Sequence, residues 1–159
     1  MEQKISAVTL AALRKMQQGE IDEYHIYRKI AGFVKEEKER STLLRIAEQE
    51  LAHGKLWSRY TGEEPAPRKV RVWWYVMLAR IFGYTFTLKR MENGEDRADA
   101  SYQKLSVEIP EAKQIAEEEQ QHEDALLALL DEERLQYVGS MVLGLNDALV
   151  ELTGTLAGL

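Results

Sequence analysis

The amino-acid sequence predicts an all-α fold: a four-helix bundle with a long crossover between helices 2 and 3 and an additional C-terminal helical segment. Three observations carry this reading. Apolar residues recur at helical spacing in four separate stretches. Turn-forming residues are scarce, with three prolines and ten glycines in 159 residues, fewer than a fold of many short strands requires. The link between the second and third stretches is long while the other two are short, and short links join antiparallel neighbours. The composition narrows the function as well. With no cysteine there are no disulfides, zinc ribbons, iron–sulfur clusters or thiol catalysis. A net charge of −6 and a hydrophobic fraction of 45% exclude a disordered chain and a strongly basic nucleic-acid binder, so no nucleic-acid partner is expected.

Each element follows from its own residues. The first helix carries the stripe Leu13, Met16, Glu20, Glu23, Tyr27, Ala31 and Val34. A charged turn, Glu36 to Glu39, separates it from the second, with Leu43, Ile46, Glu50, His53, Trp57 and Tyr60. Gly62, Pro65 and Pro67 within Thr61–Pro67 end that helix. The third stripe is Ile81, Leu88, Glu92, Glu95, Ala98, Tyr102 and Leu105; the fourth is Ala112, Ile115, Glu119, His122, Leu126 and Leu129, with Pro110 suited to its first turn. Between Pro65 and Met91 lie six basic residues, no acid and six of the thirteen aromatics, which leaves −12 for the rest of the chain. Core and dimer packing accounts for this stretch. A membrane-surface helix is the alternative, since Trp73, Trp74 and Tyr75 stand among Arg68, Lys69, Arg71 and Arg80.

The two termini differ in character. Met1–Lys15 has charges at Glu2, Lys4, Arg14 and Lys15 and no uninterrupted apolar run, so it is no secretory signal and a cytoplasmic location is expected. Tyr137 to Leu159 has thirteen apolar residues, four glycines and no Lys or Arg in 23 positions, a length that can span a bilayer. Asn146, Asp147 and Glu151 within it are costly in lipid unless they face a pathway or a partner. The expected division is therefore 1–133 and 134–159, the second part a packed helix or the start of a membrane helix.

The informative anomaly is the charge in the stripes. An amphipathic helix keeps carboxylates off its core face, yet all four stripes contain them and two contain a histidine as well. There is also an internal repeat: Ile46–His53 and Ile115–His122 agree at five of eight positions at an offset of 69, and Glu20/Tyr27 and Glu95/Tyr102 share a seven-residue spacing at an offset of 75. The two halves read as copies of one helical hairpin. Glu50 and His53, like Glu119 and His122, are three apart, which places both side chains on one helix face within reach of one metal ion. Two such pairs plus one glutamate from each remaining helix build a dinuclear carboxylate site, and Glu20 and Glu95 are the natural choices. Four glutamates neutralise two divalent cations, and oxygen-rich ligands with one imidazole per metal suit Fe or Mn better than tetrahedral Zn, although Mn or Zn remain alternatives. His25, about 140° around the helix from Glu20, reads as a surface histidine.

On these residues the chain resembles the rubrerythrin-type, ferritin-like di-iron family, in which each half supplies a Glu-(six residues)-Tyr helix and then a Glu-x-x-His helix. The match covers roughly residues 16–130. The resemblance implies a ferritin-like bundle, Glu50 and Glu119 as bridging ligands, Glu20 and Glu95 as terminal ligands, and Tyr27 and Tyr102 beside the metals as groups that assist the chemistry. Rubrerythrins use an extra glutamate, and Glu23 and Glu92 are the candidates. Classical rubrerythrins also append a cysteine-ligated electron-donor domain, absent from a chain without cysteine.

A second resemblance lies in Gly144–Gly158, which is similar to the start of the first membrane helix of vacuolar iron transporter-like proteins, some of which carry a rubrerythrin-like domain in front; Asp147 would match their acidic ion-path residue. Together these imply a homodimeric protein that binds two Fe(II) and oxidises them with O₂ or peroxide. Membrane or transporter association through 68–90 and 137–159 would place it at the cytoplasmic face. A peroxide reductase with an external electron donor and a non-enzymatic metal sensor or delivery domain are the competing expectations.

Overall fold

The computed structural model describes the backbone of residues 5–92, 105–106 and 108–157, and within these the side chains of all but 92, 130–137 and 156–157. Among the described residues the chain is all-α, with no strand. The helices are α1 (Ala7–Ala31), α2 (Glu37–Thr61), α3 (Lys69–Phe82), α4 (Tyr84–Glu92) and α5 (Glu111–Ala157). Glu95 and Tyr102, and the middle of the expected third helix, lie outside the described residues.

Helix α1 starts at Ser6, where the backbone is extended and the side-chain oxygen accepts the Thr9 N–H at 3.1 Å. Arg28 and Lys29 in its last turn complement the negative end of the helix dipole. The break before α2 falls at Gly32–Glu36, not at the charged run Glu36–Glu39. Glu37 and Glu39 instead form the first turn of α2, where carboxylates face the positive end of the dipole. Helix α2 ends as expected at Gly62, which adopts the left-handed conformation (φ 69°) and returns its N–H to the Ser58 carbonyl at 2.9 Å.

The core of the first unit is built on α1 and α2. Leu13 and Trp57 cluster with Leu105, Ile109, Ala112 and Ile115, so the residues leading into α5 close over the α1–α2 pair. Ile26, Ile30, Leu43 and Ile46 are fully buried, and each such side chain contributes about 1.5–3 kcal/mol. The two helices approach closely at Gly54, where an added Cβ would stand 2.8 Å from the Ile21 Cδ1. A buried amide fastens the far end of α2: the Gln17 Nε2 donates to the Ser58 hydroxyl (2.9 Å) and the Glu63 carbonyl (2.8 Å), and Thr61 donates to its Oε1 (2.8 Å).

The long crossover is itself helical. Asp22 of α1, with no exposed surface, accepts from the Arg68 backbone N–H and side-chain Nε, both at 2.7 Å, and from Arg71 at 3.5 Å. That holds the start of α3 against α1. Ile81 does not open a continuous third helix. It is exposed at the end of α3, and Gly83 at φ 92° then breaks the chain before α4, on which Leu88 and Met91 are buried. The glycine's positive φ explains the break, because such backbone strains any residue with a Cβ. Tyr84 donates to the buried Glu39 of α2, and the Arg80 guanidinium lies 5.1 Å from the Phe33 ring centroid. Trp73, Trp74, Phe82 and Phe86 are exposed.

The chain divides into two compact units, Met1–Ala125 and Leu126–Leu159. In the second, the described side chains from 138 to 155 are all exposed, among them Val138, Met141, Leu143, Leu145, Leu149 and Leu152. No described helix is long and apolar enough to cross a membrane. Asn146, Asp147, Glu151 and the glycines at 139, 144 and 154 account for that shortfall by diluting the apolar residues.

Candidate metal centre

Three helices supply the centre. On α1 the spacing of three and four places Glu20, Glu23 and Tyr27 on one side. On α2 Glu50 and His53 are one turn apart, and on α5 so are Glu119 and His122. Glu20, Glu50, His53 and Glu119 each offer one ligand atom, and these four atoms all lie within 4.8 Å of one another. Glu50 is 1% and His53 3% exposed. The His53 Nδ1 stands 3.0 Å from Glu119, 3.6 Å from Glu50 and 3.8 Å from Glu20. His122 lies alongside, its Nδ1 3.0 Å from Glu50 and 3.6 Å from Glu119, with the two imidazoles stacked at 5.8 Å between centroids.

These atoms are close but not hydrogen-bonded. Glu50 Oε2, His53 Nδ1, Glu119 Oε1 and both ring nitrogens of His122 are buried without a hydrogen-bond partner among the described residues. Orphaned polar atoms of this kind are rare in folded proteins, and a cluster of them requires an explanation. A cation is the direct one. Three carboxylate oxygens and one imidazole nitrogen on rigid helices fit a divalent metal ion, which would satisfy the lone pairs that lack donors.

The electrostatics describe the same frustration. Burial, then the negative charges of Glu119 and Glu20, push the Glu50 carboxyl well above the ordinary carboxylate range. For His53 burial works against protonation, but the surrounding carboxylates of Glu119, Glu20 and Glu50 outweigh it and hold the imidazole far up. For Glu119 burial pulls upward, yet His122 and His53 bring it below its usual value. Without a cation the cluster keeps protons in its place.

No family model, curated relative or solved structure matches the chain. Its functional reading therefore rests on these side chains. Of the residues expected from the sequence, Glu20, Glu50, His53 and Glu119 converge and His122 adjoins them. Glu23 is not one of the four clustered candidate ligands; its Oε1 is 3.5 Å from the Arg71 guanidinium. Tyr27 is buried on α1. Glu92 is the last residue of α4, its side chain outside those described, and Glu95 and Tyr102 are outside them entirely.

Two participants escape sequence reasoning. Trp57 Nε1 donates to Glu20 Oε1 at 3.4 Å, steadying that carboxylate from the core side. Glu118, half-buried, accepts from the His53 Nε2–H at 2.7 Å, and the Gln114 amide donates to its other oxygen at 2.8 Å. Burial raises the Glu118 carboxyl, but His53 and Gln114 outweigh this and bring it below the usual range. A glutamate beside a ligand in an acidic helix looks like any solvated residue. The only available signal was its place directly before Glu119.

Proposed function

We propose that this chain is a di-iron carboxylate protein that binds Fe(II) and oxidises it, built on a ferritin-like four-helix bundle. The observation that carries the reading is the convergence of Glu20, Glu50, His53 and Glu119, with Glu50, His53 and Glu119 presenting buried atoms that no protein donor satisfies. The adjacent His122, at the same helical offset from Glu119 as His53 from Glu50, supports a second metal position. Glu95 completes that position in the proposal. Hard oxygen donors with one imidazole per metal favour Fe(II) over Zn(II).

In the proposed reaction two Fe(II), taken as substrate, each give one electron to O₂, which takes up two protons and leaves as hydrogen peroxide. With peroxide as oxidant, the same two electrons and two protons give two waters. The protein's part is positional and electrostatic. Glu50 and Glu119 each approach both imidazoles and would be shared by the two metal positions; Glu20 would close the His53 side, with Trp57 steadying it. Tyr27 and Tyr102 assist by hydrogen bonding or electron donation. Proton release from Glu50 and His53 on binding compensates the incoming charge.

The test is an anaerobic Fe(II) titration of the purified chain followed by oxygen. Two irons per chain and rapid growth of a ferric absorption band are expected, and both are lost in the Glu50→Ala/Glu119→Ala double variant. Unchanged stoichiometry in that variant refutes the site. Binding with no oxidation by O₂ or peroxide refutes the ferroxidase reading and leaves a metal sensor or delivery domain.

A further inference from the structure

The two Glu-x-x-His motifs are related by an offset of 69, and the same offset pairs Glu118 with Gln49. The structure treats these two positions differently. Glu118 reaches across from α5 to the His53 ring on α2 and accepts its Nε2–H at 2.7 Å. Gln49 turns along its own helix instead, accepting from the Arg45 guanidinium at 2.8 Å. Among the described residues neither ring nitrogen of His122 has a hydrogen-bond partner, although its Nδ1 stands 3.0 Å from Glu50.

The chemical consequence is specific. An ionised carboxylate only accepts, so its contact with Nε2 keeps a proton there and leaves the lone pair on Nδ1 for a metal. It is the Nδ1 that faces Glu20, Glu50 and Glu119. A carboxylate behind a ligating histidine also fixes the ring orientation and strengthens the nitrogen as a donor, and its loss typically lowers metal affinity about 10–100-fold. The neutral Gln49, engaged with Arg45, gives His122 neither effect.

We infer that Glu118 is a positioning residue that makes the two halves of the centre unequal: the His53 position takes a divalent cation first and more tightly, and the His122 position fills second. This rests on the proposed dinuclear centre. It adds an order of loading that the near-symmetry of the repeat does not contain. Symmetric motifs acquire a strong and a weak position through one carboxylate-for-amide difference.

The test uses Co(II) on the metal-free full chain without oxygen, followed by calorimetry and by the visible absorption of bound Co(II). The intact chain should bind two Co(II) in two steps separated by about tenfold or more. Glu118→Ala should weaken the first step about 10–100-fold and leave the second in place, with Glu118→Asp recovering part of the loss. In the Zn(II)-loaded protein, nitrogen NMR should show a protected His53 Nε2–H that Glu118→Ala exposes to exchange, a signature that a merely structural role would not move. Gln49→Glu should tighten the second step. If Glu118→Ala fails to fold by circular dichroism, that gain alone decides, and its absence overturns the inference. Two equal steps, or equal weakening of both by Glu118→Ala, overturn it while the centre stands. Fewer than two Co(II) per chain overturns the dinuclear reading and this inference with it.

Discussion

Glu50→Gln should stabilise the metal-free protein while abolishing its response to metal. The structure sets the magnitude. Ligand atoms of Glu20, Glu50 and Glu119 lie within 4.8 Å of one another, and two like charges at that separation repel by about 3 kcal/mol at an effective dielectric constant near 20. Burial and these neighbouring charges favour the protonated form of Glu50 in the metal-free protein, and holding that form has its own cost. From an ordinary value of 4.5, holding a carboxyl protonated at pH 7 costs about 3 kcal/mol at about 1.4 kcal/mol per pH unit. Glutamine has nearly the shape of the protonated acid and carries neither cost. It should therefore raise the unfolding free energy by about 1–3 kcal/mol in chelator at pH 7, the lower figure allowing for the lost contact with His122.

The sign with pH follows from the same shift. Because the folded-state value lies above the unfolded one, the folded protein binds the proton more tightly, and stability falls as pH rises above about 4.5. The advantage of Glu50→Gln should vanish near pH 4.5 and widen toward pH 7. Urea unfolding of both proteins in chelator, and then with saturating Fe(II) under nitrogen, measures all of this. The native chain should gain stability with metal and the variant should not. A metal-free Glu50→Gln protein less stable than the native one would refute the reasoning, since Glu50 would then be a structural ion-pair partner of the histidines.

Two further outcomes follow from the frame. Asp22→Ala should cost about 3 kcal/mol in urea unfolding, because it removes a fully buried carboxylate and leaves the Arg68 N–H without its 2.7 Å acceptor; a loss under about 1 kcal/mol would show that α3 is held to α1 by its apolar contacts instead. Burial, with the carboxylate of Glu111 beside it at 2.7 Å, raises Tyr60 to about 12, whereas Tyr60 lowers Glu111. The raised tyrosine loses its contribution as pH climbs from 10 to about 12, and the lowered carboxyl loses its own as pH falls through its folded value. Ultraviolet titration of the folded chain should show one phenol ionising near 12 that Tyr60→Phe removes; an unchanged high-pH step in the variant would assign it to another tyrosine.

Local and tertiary information divide cleanly in this protein. Helical character was readable because its period is local: Leu13 and Tyr27 on α1, and Ile46, Glu50, His53 and Trp57 on α2, lie on faces set by 3.6 residues per turn whatever packs against them. The ligand candidates Glu20, Glu50, His53 and Glu119 were readable for the same reason, since a carboxylate inside an apolar stripe contradicts the stripe unless something charged meets it. The tertiary structure decided what depends on residues far apart in the chain. Glu39 reads as part of a turn until Tyr84 meets it, and Ile81 reads as core until Gly83 turns the chain away. Asp22 carries no signal in the sequence, and only the approach of Arg68 makes it a buried acceptor. The sequence holds the Gln49/Glu118 difference between the two motifs, but what Glu118 meets is settled only in three dimensions. Glu118 and His53 are 65 positions apart, and no periodicity relates them. A helix's own hydrogen bonds fix which side chains share a face, but only packing fixes which faces meet. Whether Glu118 is a solvated charge or the brace of the His53 ring is decided by which faces meet.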